Sequence, residues 1–410
     1  MRTLYNIGMY CYRLGVAAVS PWHKKARLWR DGRKQLFNRM RASIDSSAPI
    51  VWVHVASLGE FEQGRPIIEK IKAERPEYKI LLTFFSPSGY EIRKNYQGAD
   101  YIFYLPIDTK SNAREFLDIV KPQIAVFVKY EYWINLLSEL KTRNIPTYIV
   151  SAIFRRDSIF FRSTGNMWRE ALKSFNTIFV QDENSKALLA ELGHDNVVVA
   201  GDTRFDRVAQ IAAAAKKIEL IEQFKGNSRL FVAGSSWGPD EDLIVRLANE
   251  NPTIKFIIAP HEMEQTRMAK IEQTATGGAV RYTKVEGDIA DKQILILDTI
   301  GMLSSVYGYA DFSYIGGGFG VGIHNTLEAA TFGLPIAFGP NYHKFKEARD
   351  MIALGGATSV SNYEELSAWF APLRDDEQHL KRVSQISKDY TTKNQGATDI
   401  FFEKVFGTKK

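Results

Sequence analysis

Short apolar runs alternate with longer helical patterns along most of this 410-residue chain, and this alternation limits the possible folds more than any other feature. The first series of runs is rich in β-branched and aromatic residues and occupies 50–56, 79–85, 101–106, 124–130, 147–152, 177–181 and 197–201. Stretches typical of helices lie between the runs, at 60–74, 111–121, 133–143 and 183–193. Alternation of this kind predicts an α/β fold in which helices cover both faces of a parallel sheet.

The same rhythm restarts after an alanine-rich helical stretch at 201–220. New apolar runs follow at 230–235, 254–260, 293–298, 312–318, 334–340 and 357–360. The two series predict two Rossmann-like domains, at 42–205 and 206–385, and a C-terminal helix over 386–410 that can cross back to the first domain. Because sheets of this type bind ligands at the carboxyl ends of their strands, a cleft between two facing domains is the expected site.

Positive charge is concentrated at the start of the chain. Residues 1–41 carry ten basic side chains and one acidic one, a net of +9, so the total of +6 leaves −3 for the remainder. The segment is also rich in Tyr and Trp, which favours a helix in a membrane interface with its basic residues on anionic lipid. A single span is disfavoured because Arg13 at a bilayer centre costs about 2.5–3.5 kcal/mol. A helix packed on its own protein is the alternative, and the mildly acidic body disfavours nucleic acid as a partner.

The cysteine and histidine content argues against metal chemistry. One cysteine, Cys11, excludes an internal disulfide framework and any cysteine-rich zinc or iron–sulfur site. His54, His324 and His343 do not have the spacing of metal ligands. The sequence therefore predicts no bound metal and no metal cofactor.

Two carboxylates follow predicted strands of the first domain and are candidate catalytic residues. Glu60 ends the sequence Ser57-Leu58-Gly59-Glu60, where it could accept a proton from a hydroxyl. The same spacing is that of a capping box with Ser57 as N-cap. Glu131 follows the run at 124–130 and would face either the cleft or a cationic partner, and an ion pair with Lys129 is the alternative role.

The most informative motif is the segment 316–322, which has five glycines in seven residues and leads from a predicted strand into a predicted helix. Glycine-rich turns at helix N-termini let backbone N–H groups approach a phosphate closely. A carboxylate on the first turn would suit the paired hydroxyls of a ribose better than a phosphate. No Gly-Lys-Ser/Thr follows, which excludes a Walker A motif, and a tight loop without a ligand is the alternative. The candidate ligand-binding residues here are Gly317, Gly318, His324, Asn325 and Glu328.

Two shorter loops end strands of the second domain. One contains Ser235 in Gly-Ser-Ser-Trp, and the other contains Pro260 and His261. Either loop could line a phosphate or base pocket, and either could serve only as a helix cap.

Together these motifs resemble the 3-deoxy-D-manno-octulosonate (Kdo) transferases of lipopolysaccharide biosynthesis. The segments that carry the resemblance, in the family's order, are ASLGE (56–60), FSPSGYE (85–91), LPID (105–108), EYWINLL (131–137), GDTRFD (201–206), GGGFGVGIHNTLEAA (316–330) and FGP (338–340). The resemblance extends from residue 28 to residue 397. It implies the GT-B glycosyltransferase architecture of two facing Rossmann-like domains, with a membrane-associated N-terminal helix.

The resemblance also implies a reaction and its partners. Kdo would move from CMP-Kdo to a glucosamine hydroxyl of the lipid A precursor (lipid IVA), at the cytoplasmic face of the inner membrane, whose anionic surface would hold the enzyme. Glu60 matches the family's proposed general base and Glu131 the acidic residue opposite it. Asn325 and Glu328 match residues that hold the CMP moiety. Another sugar-nucleotide enzyme of the same architecture (a UDP-sugar transferase or epimerase) and a non-catalytic membrane scaffold are the alternative functions.

The chain departs from the family pattern at two positions. The family usually has Pro-Arg-His where this chain has Pro260-His261-Glu262, so the cation beside the donor phosphate would be His261, Arg204 or Lys344. Lys129 stands where relatives often have a second glutamate. The expected mechanism is a single inverting displacement, and its leaving group, CMP, does not require a divalent cation.

Overall fold

A computed structural model describes residues 2–407, and two compact units can be distinguished in it. Unit 1 contains the chain up to Arg207 together with the residues from Gln395 onward, and unit 2 contains Val208–Asn394. Each unit contains one seven-stranded sheet in which every paired strand is parallel to its neighbour.

The sheet of unit 1 has the order β3-β2-β1-β4-β5-β6-β7. Its strands are β1 (Ile50–Val55), β2 (Lys79–Phe84), β3 (Tyr101–Tyr104), β4 (Ile124–Val128), β5 (Thr147–Ala152), β6 (Thr177–Val180) and β7 (Val197–Val199). The helices are α1 (Arg2–Val19), α2 (Lys24–Asp31), α3 (Leu36–Ser43), α4 (Leu58–Glu74), α5 (Pro87–Arg93), α6 (Lys110–Val120), α7 (Ile134–Thr142), α8 (Asn166–Leu172), α9 (Glu183–Glu191) and α10 (Thr203–Ala213), which contains the boundary between the units. All seven strands lie where the sequence predicts them.

The sheet of unit 2 has the order β10-β11-β9-β8-β12-β13-β14. Its strands are β8 (Leu230–Ser236), β9 (Lys255–Pro260), β10 (Ala279–Arg281), β11 (Ile294–Ile296), β12 (Phe312–Ile315), β13 (Ile336–Phe338) and β14 (Ala357–Ser359). The helices are α11 (Glu219–Lys225), α12 (Gly238–Glu250), α13 (Gln265–Thr274), α14 (Leu303–Val306), α15 (Leu327–Thr331), α16 (Lys346–Leu354), α17 (Tyr363–Asp375) and α18 (Glu377–Lys393). Six of the seven strands were predicted, and β10 was missed.

The central strands are buried on both faces, as their near-continuous apolar sequences require. In unit 1, Trp52 and Phe127 point into one core cluster, while Val53 and Val126 point into the other. Phe401 of the last helix, α19 (Ala397–Phe406), completes the second cluster, which explains why the end of the chain belongs to unit 1.

The segment expected as one helix over 386–410 is divided between two helices. The helix α18 ends at Lys393, and Gly396 adopts a left-handed conformation with φ of +106° before α19 begins. Asp206 then caps α19, because its carboxylate accepts hydrogen bonds from the amides of Gly396 (2.6 Å) and Thr398 (2.7 Å). Residues 408–410 lie outside the described part of the chain.

The basic N-terminal segment is partly built into unit 1. Trp29, Leu36 and Met40 are buried, whereas α1 has no buried residue. Among residues 2–407, no helix is long and apolar enough to cross a membrane.

Candidate active site

The two candidate carboxylates of unit 1 follow adjacent strands at the point where the strand order reverses. The chain proceeds from β1 outward to β2 and β3, and then returns to place β4 on the other side of β1. Glu60 follows β1 and Glu131 follows β4, so both lie at the carboxyl edge of the sheet beside this switch point. Sheets of this type bind their ligands at that position.

Glu60 lies in the first turn of α4, where the helix dipole favours a carboxylate. Ser57 is the N-cap residue, as predicted, but the capping hydrogen bond is absent because its hydroxyl donates to Oε2 of Glu60 instead. The Glu60 side chain is partly exposed, and its Oε1 has no hydrogen-bond partner among residues 2–407. One carboxylate oxygen is therefore held in place while the other is available to a substrate.

Glu131 is 8% exposed, and its partners are an indole and an imidazole. Its Oε2 accepts hydrogen bonds from Nε1 of Trp133 (2.7 Å) and is 3.0 Å from Nε2 of His54. The alternative of an ion pair with Lys129 is wrong. The strand ends at Val128, and Lys129 has a left-handed φ of +69°, so the alternation that would have aligned the two side chains does not continue.

The sequence analysis missed the buried chain of hydrogen bonds that holds Glu131. Nε1 of Trp52 donates to Oγ1 of Thr83 (2.8 Å), and Oγ1 of Thr83 is 2.9 Å from Nδ1 of His54. Nδ1 is also 3.1 Å from the carbonyl oxygen of Thr83. Because that oxygen and the carboxylate oxygen of Glu131 can only accept, His54 donates to Glu131 from Nε2 or to Thr83 from Nδ1 according to its tautomer.

Unit 2 has a switch point of the same kind, between β8 and β12. Ser235 is one of the last two residues of β8, Pro260 ends β9 with His261 directly after it, and the five glycines follow β12. The structure therefore brings all three predicted motifs to one edge. Ser235 has a left-handed φ of +53°, which is uncommon for a residue other than glycine.

Three rings stack at this edge. The ring centroids of Trp237 and His261 are 5.0 Å apart, and those of His261 and His324 are 4.2 Å apart, with small interplanar angles of 30° and 25°. Nε1 of Trp237 donates to Nε2 of His324 (3.2 Å), so the proton of that imidazole is on Nδ1. Burial and the neighbouring His261 lower the pKa of His324 to about 4, which keeps it neutral at physiological pH.

The glycine-rich loop is folded tightly on itself. A Cβ atom on Gly316 would lie 2.3 Å from the carbonyl oxygen of Ser235, and one on Gly318 would lie 2.6 Å from Gly339, so packing alone requires these two glycines. The amides of Gly320 and His324 donate to carbonyls within the loop. The backbone N–H groups that have no acceptor among the described residues include those of residues 318, 319 and 321.

The predicted helix after this loop starts at Leu327 and has only five residues. Asn325 therefore precedes the helix, and its Nδ2 donates to Oε1 of Glu328 (3.0 Å). The hydroxyl of Ser304 donates to Oε2 of the same carboxylate (2.5 Å). Both oxygens of Glu328 are thus fixed in direction, as a group that recognises a pair of hydroxyls would need.

Asp240 anchors the loop and was missed by the sequence analysis. Its carboxylate accepts hydrogen bonds from the amides of Gly317 (3.0 Å) and Trp237 (2.9 Å) and from the hydroxyl of Tyr314 (2.8 Å). Burial raises the pKa of Asp240 above its usual value. A signal was present in the sequence, since Trp-Gly-Pro-Asp has the spacing of a capping box before an apolar run.

A cation that the sequence analysis did not single out, Arg267, lies beside the ring stack. Its guanidinium carbon is 5.6 Å from the centroid of Trp237, and its charge is balanced by Glu241. Arg204 belongs to unit 1 and bonds to Asp202 (2.9 Å), and Lys344 is exposed. Which cation faces the donor phosphate stays a prediction.

Residues 2–407 contain no group of three His, Cys, Asp or Glu side chains that could hold a metal ion. That the reaction needs no metal ion stays a prediction.

Two α/β units with parallel sheets and polar side chains at both switch points define a two-domain protein of the kind found among GT-B glycosyltransferases. Two solved structures agree with this fold. A UDP-GlcNAc 2-epimerase from Neisseria meningitidis is 16% identical with a TM-score of 0.64, covering 88% of this chain and 100% of that one. MurG from Acinetobacter baumannii is 13% identical with a TM-score of 0.55, also covering 88% and 100%.

Sequence comparison shows similarity to one group of enzymes. Residues 31–207 match the family model of 3-deoxy-D-manno-octulosonic-acid transferase. An enzyme of that name from Aquifex aeolicus is 26% identical over 83% of this chain and 90% of its own length. Another, from Bordetella pertussis, is 27% identical over 96% of this chain and 97% of its own. These matches agree with the resemblance to the Kdo transferases found from the motifs, and they show what the chain is similar to over most of its length.

Proposed function

We infer that this chain is a glycosyltransferase that moves Kdo from CMP-Kdo to a glucosamine hydroxyl of the lipid A precursor. The family match supports the reaction class. The observation that carries the assignment of roles is that the motifs shared with the family occupy the switch points of both sheets. Glu60 and Glu131 would serve the acceptor on unit 1, and the ring stack, the glycine-rich loop and Glu328 would serve the donor on unit 2.

The proposed step is a single displacement. The free oxygen of Glu60 takes the proton of the acceptor hydroxyl, whose oxygen then forms a bond to the anomeric carbon of Kdo. The bond from that carbon to the phosphate oxygen breaks, and CMP leaves with the electron pair. Backbone N–H groups of the glycine-rich loop would stabilise the phosphate of CMP, and the neutral His324 would donate a hydrogen bond from Nδ1.

A comparison of nucleotides by calorimetry tests the donor assignment. CMP should bind the full-length protein at least about 10-fold more tightly than UMP or UDP, because base recognition separates these ligands. Tight binding of UDP without binding of CMP would instead favour a UDP-sugar enzyme of the same fold. The absence of turnover with CMP-Kdo and lipid acceptor would favour a non-catalytic scaffold.

We also propose that the enzyme works at the cytoplasmic face of the inner membrane, with α1 in the lipid interface. The helix presents a row of exposed apolar side chains, of which Leu4 is 71%, Ile7 53% and Leu14 68% exposed. These residues share one helical face, and the same segment of the chain is strongly basic. An amphipathic helix of this composition binds anionic bilayers.

Vesicle sedimentation tests this proposal. The triple substitution Leu4→Ser, Ile7→Ser and Leu14→Ser should reduce binding to anionic vesicles by at least about 10-fold, because it removes buried apolar area, while CMP binding stays unchanged. Thr3 and Ala18 are also exposed on α1, and substitution of either by Ser is the control that should change little. Undiminished sedimentation of the triple variant would contradict the proposal.

A further inference from the structure

The helix α1 has no buried residue, yet a polar contact joins it to the interior of unit 1. The hydroxyl of Tyr5 donates to Oδ2 of Asp108 over 2.6 Å. Asp108 is fully buried and lies in the segment between β3 and α6. The ring of Tyr5 packs edge-on against that of Trp168, with the centroids 6.2 Å apart and the planes at 88°. This packing directs the hydroxyl of Tyr5 toward a buried acceptor.

The same carboxylate caps the helix α7. Oδ2 of Asp108 accepts from the amide of Asn135 (2.9 Å), and Oδ1 accepts from the amide of Leu136 (2.9 Å). The N-cap residue of α7, Trp133, makes no capping hydrogen bond with its own side chain. Because the first backbone N–H groups of a helix have no acceptor within the helix, Asp108 provides the acceptor that the local sequence lacks.

A second contact between α1 and α7 lies beside the first. Nδ2 of Asn135 donates to Oδ1 of Asn6 (2.8 Å) and to the carbonyl oxygen of Asp108 (2.7 Å). Two consecutive residues of α1, Tyr5 and Asn6, therefore meet the start of α7. Burial raises the pKa of Asp108 to about 6, and the hydrogen bonds from Tyr5 and from the amides of α7 oppose that rise. The charged form of the carboxylate thus depends on these donors.

The start of α7 also positions Glu131 through Trp133. Nε1 of Trp133 donates to Oε2 of Glu131 (2.7 Å) and is 3.1 Å from Nε2 of His54. The carbonyl oxygen of Trp133 accepts from the amide of Leu137, so the backbone of this residue is part of the first turn of the helix. A displacement of that turn would therefore displace the indole that holds the carboxylate of Glu131.

We propose that Tyr5 is a positioning residue for Glu131. Its hydroxyl fixes Asp108, and Asp108 fixes the first turn of α7. Trp133, at the start of that turn, then fixes the carboxylate beside the switch point of the sheet. Tyr5 donates to Asp108 and not to Glu131, so it acts through other residues. The catalytic role of Glu131 rests on the proposed function, whereas the series of contacts does not.

This role of α1 is separate from the membrane contact proposed above. At about 3.6 residues per turn, Ile7 and Leu14 lie roughly 160–180° around the helix from Tyr5. The exposed apolar side chains and the contact with Asp108 are thus on opposite faces of α1. Substitutions on one face can therefore be tested independently of the other.

Hydrogen exchange of the full-length protein, measured by mass spectrometry on peptides that cover 131–137, tests the series of contacts without substrate. Tyr5→Phe removes the hydroxyl and keeps the ring, so it should speed exchange of the amides of Asn135 and Leu136 about 5-fold, as for loss of one hydrogen bond. The matched control is Tyr10→Phe, the same change at a position of α1 that is 49% exposed, and it should leave exchange unchanged. Equal exchange in Tyr5→Phe and the wild type would overturn the proposal.

Steady-state kinetics with CMP-Kdo and the lipid A precursor test the consequence for the site. Tyr5→Phe should lower kcat about 5-fold and leave the KM for CMP-Kdo unchanged, whereas Tyr10→Phe should change neither. Asp108→Asn should lower kcat further. The double variant Tyr5→Phe/Asp108→Asn should lose no more than Asp108→Asn alone, because both changes act through one contact.

Additive losses in the double variant would overturn the proposal, and so would a normal kcat in Tyr5→Phe despite faster exchange. An absence of turnover in the wild-type protein would contradict the proposed function and not this series of contacts, which the exchange measurement decides.

Discussion

The two sheets have the same topology around their switch points, yet they place opposite chemistry there. The edge of unit 1 provides hydrogen-bond acceptors, since Glu60 and Glu131 each keep one carboxylate oxygen without a partner among residues 2–407. The edge of unit 2 provides flat rings and backbone N–H groups, with the acidic Asp240 already satisfied by three donors. A repeated architecture can therefore divide proton removal and anion binding between its two copies.

The largest expected effect concerns the acceptor edge. Glu60→Gln should lower kcat by at least about 100-fold, because an amide cannot accept the hydroxyl proton, while CMP binding remains unchanged. Steady-state kinetics and calorimetry provide the two measurements. Glu77→Gln is the matched control, since Glu77 is exposed in the same unit. Near-normal turnover of Glu60→Gln would remove Glu60 from the role of base.

The rigidity of the acceptor edge can be tested at Thr83, which is fully buried. Thr83→Val keeps the shape but leaves Nε1 of Trp52 without its acceptor and removes the hydroxyl beside Nδ1 of His54, so it should destabilise the protein by about 1–3 kcal/mol. Urea unfolding measures the change. Thr142→Val, at an exposed position, is the control and should change the free energy of unfolding by less than about 0.5 kcal/mol. Equal effects at both positions would contradict the buried hydrogen-bond chain.

The donor edge should respond in affinity rather than in rate. Asn325→Ala removes the amide that bonds to Oε1 of Glu328, so CMP affinity should fall about 5- to 10-fold, as for loss of one charge-assisted hydrogen bond, with a smaller change in kcat. Calorimetry with CMP measures the loss. Asn249→Ala, far along α12, provides a control in the same unit, and an affinity loss of equal size there would refute the assignment.

The smallest effect concerns the charge of the ring stack. The pKa of His324 is lowered to about 4 in the folded protein, below its usual 6.5, so its contribution to stability is present above pH 6.5 and is lost as the pH falls through 4. CMP affinity should accordingly show no titration of His324 between pH 6 and 8. Imidazole resonances in NMR spectra, compared with those of His324→Gln, give the midpoint. A midpoint near 6.5 would contradict the neutral stack.

Much of the fold could be predicted because the strands are continuous apolar runs that a buried parallel sheet requires. Strand β10 was missed because its sequence, Ala-Val-Arg, has one β-branched residue and ends in a charged one, so it is not an apolar run. The direction of the Lys129 side chain could not be predicted, because side chains stop alternating between the two faces of the sheet where the backbone becomes left-handed.

The site was predicted residue by residue but not as a network. Glu60, Glu131, Asn325 and Glu328 could be proposed from the sequence because they lie in local motifs at the ends of strands. The partner of Glu131 was missed because His54 is 77 residues earlier in the chain, and only the pairing of β1 with β4 brings the two together. The role of Arg267 was missed for the same reason, because it depends on how α13 packs near Trp237.

Mass spectrometry of the lipid after incubation of the full-length protein with CMP-Kdo and the lipid A precursor tests the central claim most directly. The proposed function predicts a lipid whose mass has increased by whole Kdo residues, with an equal amount of CMP released. A lipid of unchanged mass, from protein that is folded and binds CMP, would contradict it.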